Sequence, residues 1–100
     1  MNINPFDLLK NAKQIQEQMG AFQEKLGNIH AAGSSGGGMV EVELNGRMEV
    51  QEVRISPELM GEGDREMLQD LLAAAFNNGL EKVREAINRE MGASMGLPLS

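Results

Sequence analysis

Apolar residues recur in the first part of the chain at Leu8, Ala12, Ile15, Met19, Phe22, Leu26 and Ile29, in alternating steps of four and three. That period belongs to a helix packing along a seam against another helix. A second stripe, Met67, Leu68, Leu71, Leu72, Ala75, Phe76, Leu80, Val83, Ile87 and Met91, marks a longer helix near the other end. At 1.5 Å per residue the first helix (about 5–26) would span roughly 33 Å and the last (about 64–91) roughly 42 Å. A compact domain of 100 residues has a diameter of only roughly 34 Å. One small sheet cannot cover stripes of that length, so the pattern predicts that two copies associate.

Local signals frame both helices. Asn4 can cap the first, Pro5 suits its opening position, and Asp7 favours the positive end of the helix dipole. Gly20 costs about 1 kcal/mol relative to Ala inside a helix, and Gly27 reads as the stop. The stripe lasts only about three heptads, and the flanking Gln16, Gln18 and Gln23 lack the opposed charges of an isolated coiled coil. Asp64 is placed to cap the last helix, and Gly79 interrupts it without breaking it.

Between the helices the period changes to two. Val40, Val42 and Leu44 alternate with Glu41 and Glu43, the pattern of a strand wetted on one face. Asn45-Gly46 then predicts a hairpin with a type I′ turn. On the return strand, Arg47 to Ile55, Met48 and Val50 are in phase while Val53 and Ile55 are one position out, so a bulge is expected near Gln51-Glu52. Ile29 to Ala32 can supply a third strand, and Gly33 to Gly38 reads as a flexible turn. Pro57 ends the sheet segment. The expected fold class is α+β: a long helix, a small antiparallel meander and a second long helix. These form one domain over 1–91, followed by a flexible tail over 92–100.

Composition excludes more than it proposes. Without cysteine, thiol catalysis, thiolate metal sites and a disulfide framework are all ruled out. The single histidine, His30, gives an imidazole cluster little to build on. No apolar run approaches the roughly 20 residues of a membrane span, and no charged-then-apolar leader opens the chain, so a cytoplasmic location is expected. The net charge is −6, unevenly spread. Residues 1–30 are neutral overall, 31–63 carry −4 and 64–100 carry −2, so the helices hold seven of the nine cations. With three phenylalanines as the only aromatics, base stacking is poorly supplied.

Candidate sites thin out quickly. Gly36-Gly37-Gly38 lacks the Lys-Ser/Thr of a phosphate loop and precedes a strand, so it reads as a connection. Ser34 and Ser35 have no base to activate them, and Glu41, Glu43, Glu49 and Glu52 read as the wet face of the sheet. No carboxylate pair argues for acid–base chemistry, and no enzyme, cofactor, metal or small-molecule substrate is expected. Of the eight methionines, Met19, Met67 and Met91 fall on the apolar stripes and read as core. The cations remain. Lys10 and Lys13 share a face of the first helix, with Lys25 further along, and Lys82 and Arg89 share a face of the last, with Arg84 to one side. Glu85 is well placed to pair with Arg89 within that helix. In a dimer each patch appears twice, and separated patches can grip one extended polyanion.

Taken together, several motifs resemble the YbaB/EbfC family of bacterial nucleoid-associated DNA-binding proteins. They include Leu8-Leu9-Lys10-Asn11-Ala12-Lys13, Gln16-Glu17-Gln18-Met19 and Gly36-Gly37-Gly38-Met39-Val40-Glu41-Val42. Further along stand Asn45-Gly46, Val53-Arg54-Ile55-Ser56-Pro57, Leu71-Leu72-Ala73-Ala74-Ala75-Phe76-Asn77 and Met95-Gly96-Leu97-Pro98. Each piece is a weak signal, but their order and spacing are specific and cover nearly the whole chain. The resemblance implies a tweezer-like α+β homodimer with helical arms on a β core. It also implies double-stranded DNA binding that alters DNA conformation and gene expression, on the nucleoid, and no catalytic or metal residues. Lys10 and Lys13 carry over as DNA-binding candidates, with Lys25, Lys82, Arg84 and Arg89 more loosely. Leu8, Ile15, Met19, Phe22, Leu72, Phe76, Leu80, Val83 and Ile87 are the candidates for dimer contacts and core. Sparse cations predict modest affinity with little base readout. The alternative is a homodimeric protein-interaction module whose DNA contact is incidental.

Overall fold

The computed structural model describes residues 4–61 and 64–92. Helix α1 (Pro5–Gly27) leads into strand β1 (His30–Ser35), a glycine turn (Gly36–Gly38), β2 (Val40–Asn45) and β3 (Val50–Ile55). A 3-10 turn (Pro57–Met60), helix α2 (Arg65–Ile87) and a π-helical turn (Asn88–Gly92) complete the chain. The strands form one antiparallel sheet in the order β1-β2-β3, so the expected α+β meander is the observed fold.

Helix α1 begins as its sequence requires: Asn4 Oδ1 accepts from the backbone N–H of Phe6 at 3.0 Å, with Pro5 at the first position. None of its residues is buried. The molecule measures 71 × 24 × 18 Å with a radius of gyration of 19.9 Å, against about 13 Å for a compact chain of this length. Within one protomer, then, α1 is an arm. Its root alone is tied down. The Gly46 N–H donates to the carbonyls of Leu26 at 3.0 Å and Ile29 at 2.9 Å, and Leu26 packs with Ile29, Ala86, Ile87 and Met91.

The main core lies between α2 and one face of the sheet. Val40, Val42 and Leu44 are buried there with Ala75, Val83 and Leu59, flanked by Leu68, Leu71, Leu72, Phe76 and Leu80. Glu43 pairs with Glu52 and Leu44 with Val50, leaving Gln51 as the extra residue of the expected bulge. That bulge returns Val50 and Val53 to the face shared with Leu44 and Val42. The opposite face carries Arg54, whose guanidinium reaches Glu41 at 2.8 Å, Glu52 at 3.1 Å and Glu43 at 3.4 Å. Hydrogen bonds to Glu41 and then Glu43 hold Arg54 charged well beyond its usual range. Replacing Arg54 by Ala leaves three carboxylates facing one another. The expected result is a lower thermal midpoint at low salt, with the loss shrinking as salt screens the repulsion.

Four sequence expectations are corrected. Gly33 to Ser35 are strand rather than flexible turn, because α2 crosses β1 at Gly33 and Gly79. The Ser34 N–H donates to Asn78 Oδ1 at 3.0 Å and Ser35 Oγ–H to the Leu71 carbonyl at 2.6 Å. The turn itself is confined to Gly36–Gly38, all at positive φ. The hairpin is not type I′. The Met48 N–H closes the turn on the Asn45 carbonyl at 3.0 Å, and Met48, at φ 63°, takes the left-handed position. The Asn45 side chain imposes this by accepting from the N–H groups of Arg47 and Glu49 at 2.9 and 3.1 Å. Asp64 occupies the cap position of α2 but its side chain makes no cap bond. Gly92, expected to open a tail, is buried in the π turn, and 93–100 lie outside the described residues, as does the Met95–Pro98 motif.

Candidate nucleic-acid interface

All six candidate cations are exposed, but the structure distributes them over three places. On an ideal helix Lys10, Lys13 and Lys25 fall within about 120° of arc, roughly opposite the stripe of Leu8, Ile15, Met19 and Phe22. The arm therefore has an apolar side and a cationic side. Glu17 and Glu24 share the cationic side, with Glu17 one turn from Lys13, so its field is local rather than broad. Lys10 and Lys13 stand about 18–22 Å along the axis from Lys25.

On α2, Asn78 fixes one flank against the free edge of β1 through its bond to Ser34. Lys82, one turn further on, takes the same flank, while Arg84 points away from the sheet. Arg89 belongs to the π turn, whose wider winding breaks the four-residue stacking, and among the described residues no ion pair joins it to Glu85. Arg89 instead lines a cleft of about 430 Å³ with Lys25, Asn28, Ile29, His30, Ala86 and Glu90. Lys25 and Arg89, 64 positions apart in the chain, are thus brought together at the arm's root. The histidine beside them, His30, was not singled out by sequence spacing, since the cleft draws on three separate elements.

The apolar candidates divide as sharply. Val83 is fully buried and belongs to the protomer's own core. Leu72, Phe76, Leu80 and Ile87 are half-buried along its flank. Leu8, Ile15, Met19 and Phe22 are exposed on α1, Met19 at 63%. Met19 and Met67, expected as core, stay exposed in one protomer at 63% and 47%, whereas Met91 is buried. Beside α2, Val50 and Val53 stand 47% and 44% exposed on the core-side face of the sheet, since α2 crosses β1 and β2 and leaves β3 open. The acidic strand face around Arg54 is turned away from all of these.

No group of three or more His, Asp or Glu among the described residues is placed to hold a metal, and no helix among them is long and apolar enough to cross a membrane.

The family model of the YbaB/EbfC DNA-binding family matches residues 1–97. A nucleoid-associated protein of Dictyoglomus thermophilum is 38% identical over 97 residues, covering 96% of this chain and 93% of its own length. One from Legionella pneumophila strain Corby is 41% identical over 101 residues, covering 98% and 89%. Among solved structures, an uncharacterized protein of Helicobacter pylori superposes with a TM-score of 0.70 at 26% identity, covering 94% of this chain and 98% of that one.

Proposed function

Because the chain belongs to the YbaB/EbfC DNA-binding family, we propose that it is a nucleoid DNA-binding protein that works as a homodimer, gripping double-stranded DNA with the cationic sides of its helical arms. The observation that carries this reading is α1 itself. A helix of 23 residues with none buried needs a partner for its apolar side, and its opposite side then presents Lys10, Lys13 and Lys25 outward. Pairing also covers the open valines of β3. Two protomers place each cationic patch twice along one duplex, and a duplex held at separated points is constrained to the spacing and angle of the arms. That constraint is the means by which the dimer alters DNA conformation. Phosphate contacts dominate, and sequence preference is weak.

Gel shifts on duplex DNA across a salt series test this. The parent protein is expected to bind at low salt with a shallow slope. Lys10→Glu/Lys13→Glu is expected to lower affinity tenfold or more, with the helical signal unchanged. Salt-insensitive or absent duplex binding by the parent, together with capture of a protein from nuclease-treated lysate, would favour the interaction-module alternative.

A further inference from the structure

We propose that the cleft at the root of the arm is a phosphate-binding subsite for the backbone of the gripped duplex, built from Lys25, His30 and Arg89. This rests on the DNA-binding reading and deepens it by naming where one phosphate is seated. The three residues come from the end of α1, the first position of β1 and the π turn after α2, and they line one concavity of about 430 Å³. A phosphate group fits such a space, and guanidinium with ammonium is the donor set that suits its oxygens. The Asn28 amide, on the same wall, adds a neutral polar group.

The charge of the lining is unusual for this chain. Lys25, Arg89 and Glu90 are the charged groups that line the cleft, giving net +1. A protein of net charge −6 therefore holds a small positive concavity where its arm meets its body. The His30 imidazole, on the same lining, offers a ring N–H donor. The position also suits the work. A phosphate held at the root, together with Lys10 and Lys13 along the arm, fixes the duplex at two separated points of each protomer.

The test is duplex binding by the full chain across a salt series. Lys25→Gln and Arg89→Gln are each expected to reduce the magnitude of the log–log salt slope by about 0.9, the loss of one phosphate contact. Arg65→Gln removes the same charge outside the cleft and is expected to leave the slope unchanged. His30→Ala is expected to weaken duplex binding several-fold while keeping the parent's thermal midpoint. Parent binding with unchanged slopes in both cleft variants would overturn the subsite and leave the DNA-binding reading standing, and unchanged affinity in His30→Ala would overturn the role of the imidazole. Absence of duplex binding by the parent at low salt would overturn both readings. Shifts of the His30 ring on adding inorganic phosphate, with duplex affinity unchanged in the variants, would mark a small-anion site and overturn the assignment to DNA.

Discussion

A Val53→Glu variant is expected to sediment as a single protomer of 10.9 kDa, and the parent, on the proposed pairing, as a dimer. Val53 pairs with the buried Val42 across the sheet, yet 44% of its surface is open because α2 passes over β1 and β2 and stops short of β3. With Val50 at 47%, two neighbouring apolar side chains of β3 stand half-open, while Phe76 and Leu80 of α2 are only partly buried. A carboxylate placed in a surface that a second copy covers must be desolvated without a partner. Even at a lower bound of about 3 kcal/mol for that burial, dimer affinity falls by at least about 100-fold. The protomer itself is expected to keep its fold, because the site is half-exposed and the packing of Val42 on Ala75 and Val83 does not depend on it. Unchanged sedimentation of the variant would place the pairing surface elsewhere, and a folded lone parent protomer at micromolar concentration would remove pairing altogether.

Much of this architecture is legible in the residues. Asn4-Pro5 sets the start of α1 by a side-chain bond that local spacing alone predicts, and the phase change between Val50 and Val53 locates the bulge at Gln51. The helix that the α1 stripe predicts is present, since a seven-residue period is a property of the segment itself, and its apolar side stays exposed in the protomer. The parts that escape are those decided by a neighbour distant in sequence. Gly33-Ser34-Ser35 has the composition of a loop, and becomes strand only because Asn78 and Leu71 of α2 supply the hydrogen bonds its free edge needs. The Asn45-Gly46 turn is read correctly in place and wrongly in kind. Asn45 spends its side chain on the N–H groups of Arg47 and Glu49, and Gly46 is pinned to the carbonyls at the end of α1, so the left-handed residue falls to Met48. The cleft is harder still. Lys25, His30 and Arg89 have no common spacing, and only the docking of the arm's root beside the π turn makes them neighbours.

Gly33→Ala is expected to be the most damaging small substitution in the chain, far worse than Gly79→Ala at the same crossing. A Cβ on Gly33 would overlap the backbone nitrogen of Gly79 and the carbonyl oxygen of Ala75. Those atoms belong to the helix ladder and cannot swing aside, so α2 must lift from β1. Lifting α2 loosens the packing over Val42 and Leu44 and breaks the bonds from Ser34 and Ser35. Overpacking against an unyielding wall costs about 3 kcal/mol or more, which for a domain of this size lowers the thermal midpoint by roughly 12–24 °C. A Cβ on Gly79 instead meets the Cδ1 of the fully buried Leu44 at 2.5 Å and comes within 3.3 Å of the Gly33 nitrogen and 3.4 Å of the Val42 carbonyl oxygen, so a side-chain end must shift but no backbone atom is overlapped. Alanine there also regains about 1 kcal/mol of helix propensity, so its midpoint is expected to fall by less than that of Gly33→Ala. Thermal melts of the two variants at equal concentration separate these cases. Equal losses would mean that the crossing yields as a unit, and that β1 is held by its pairing with β2 rather than by the approach of α2.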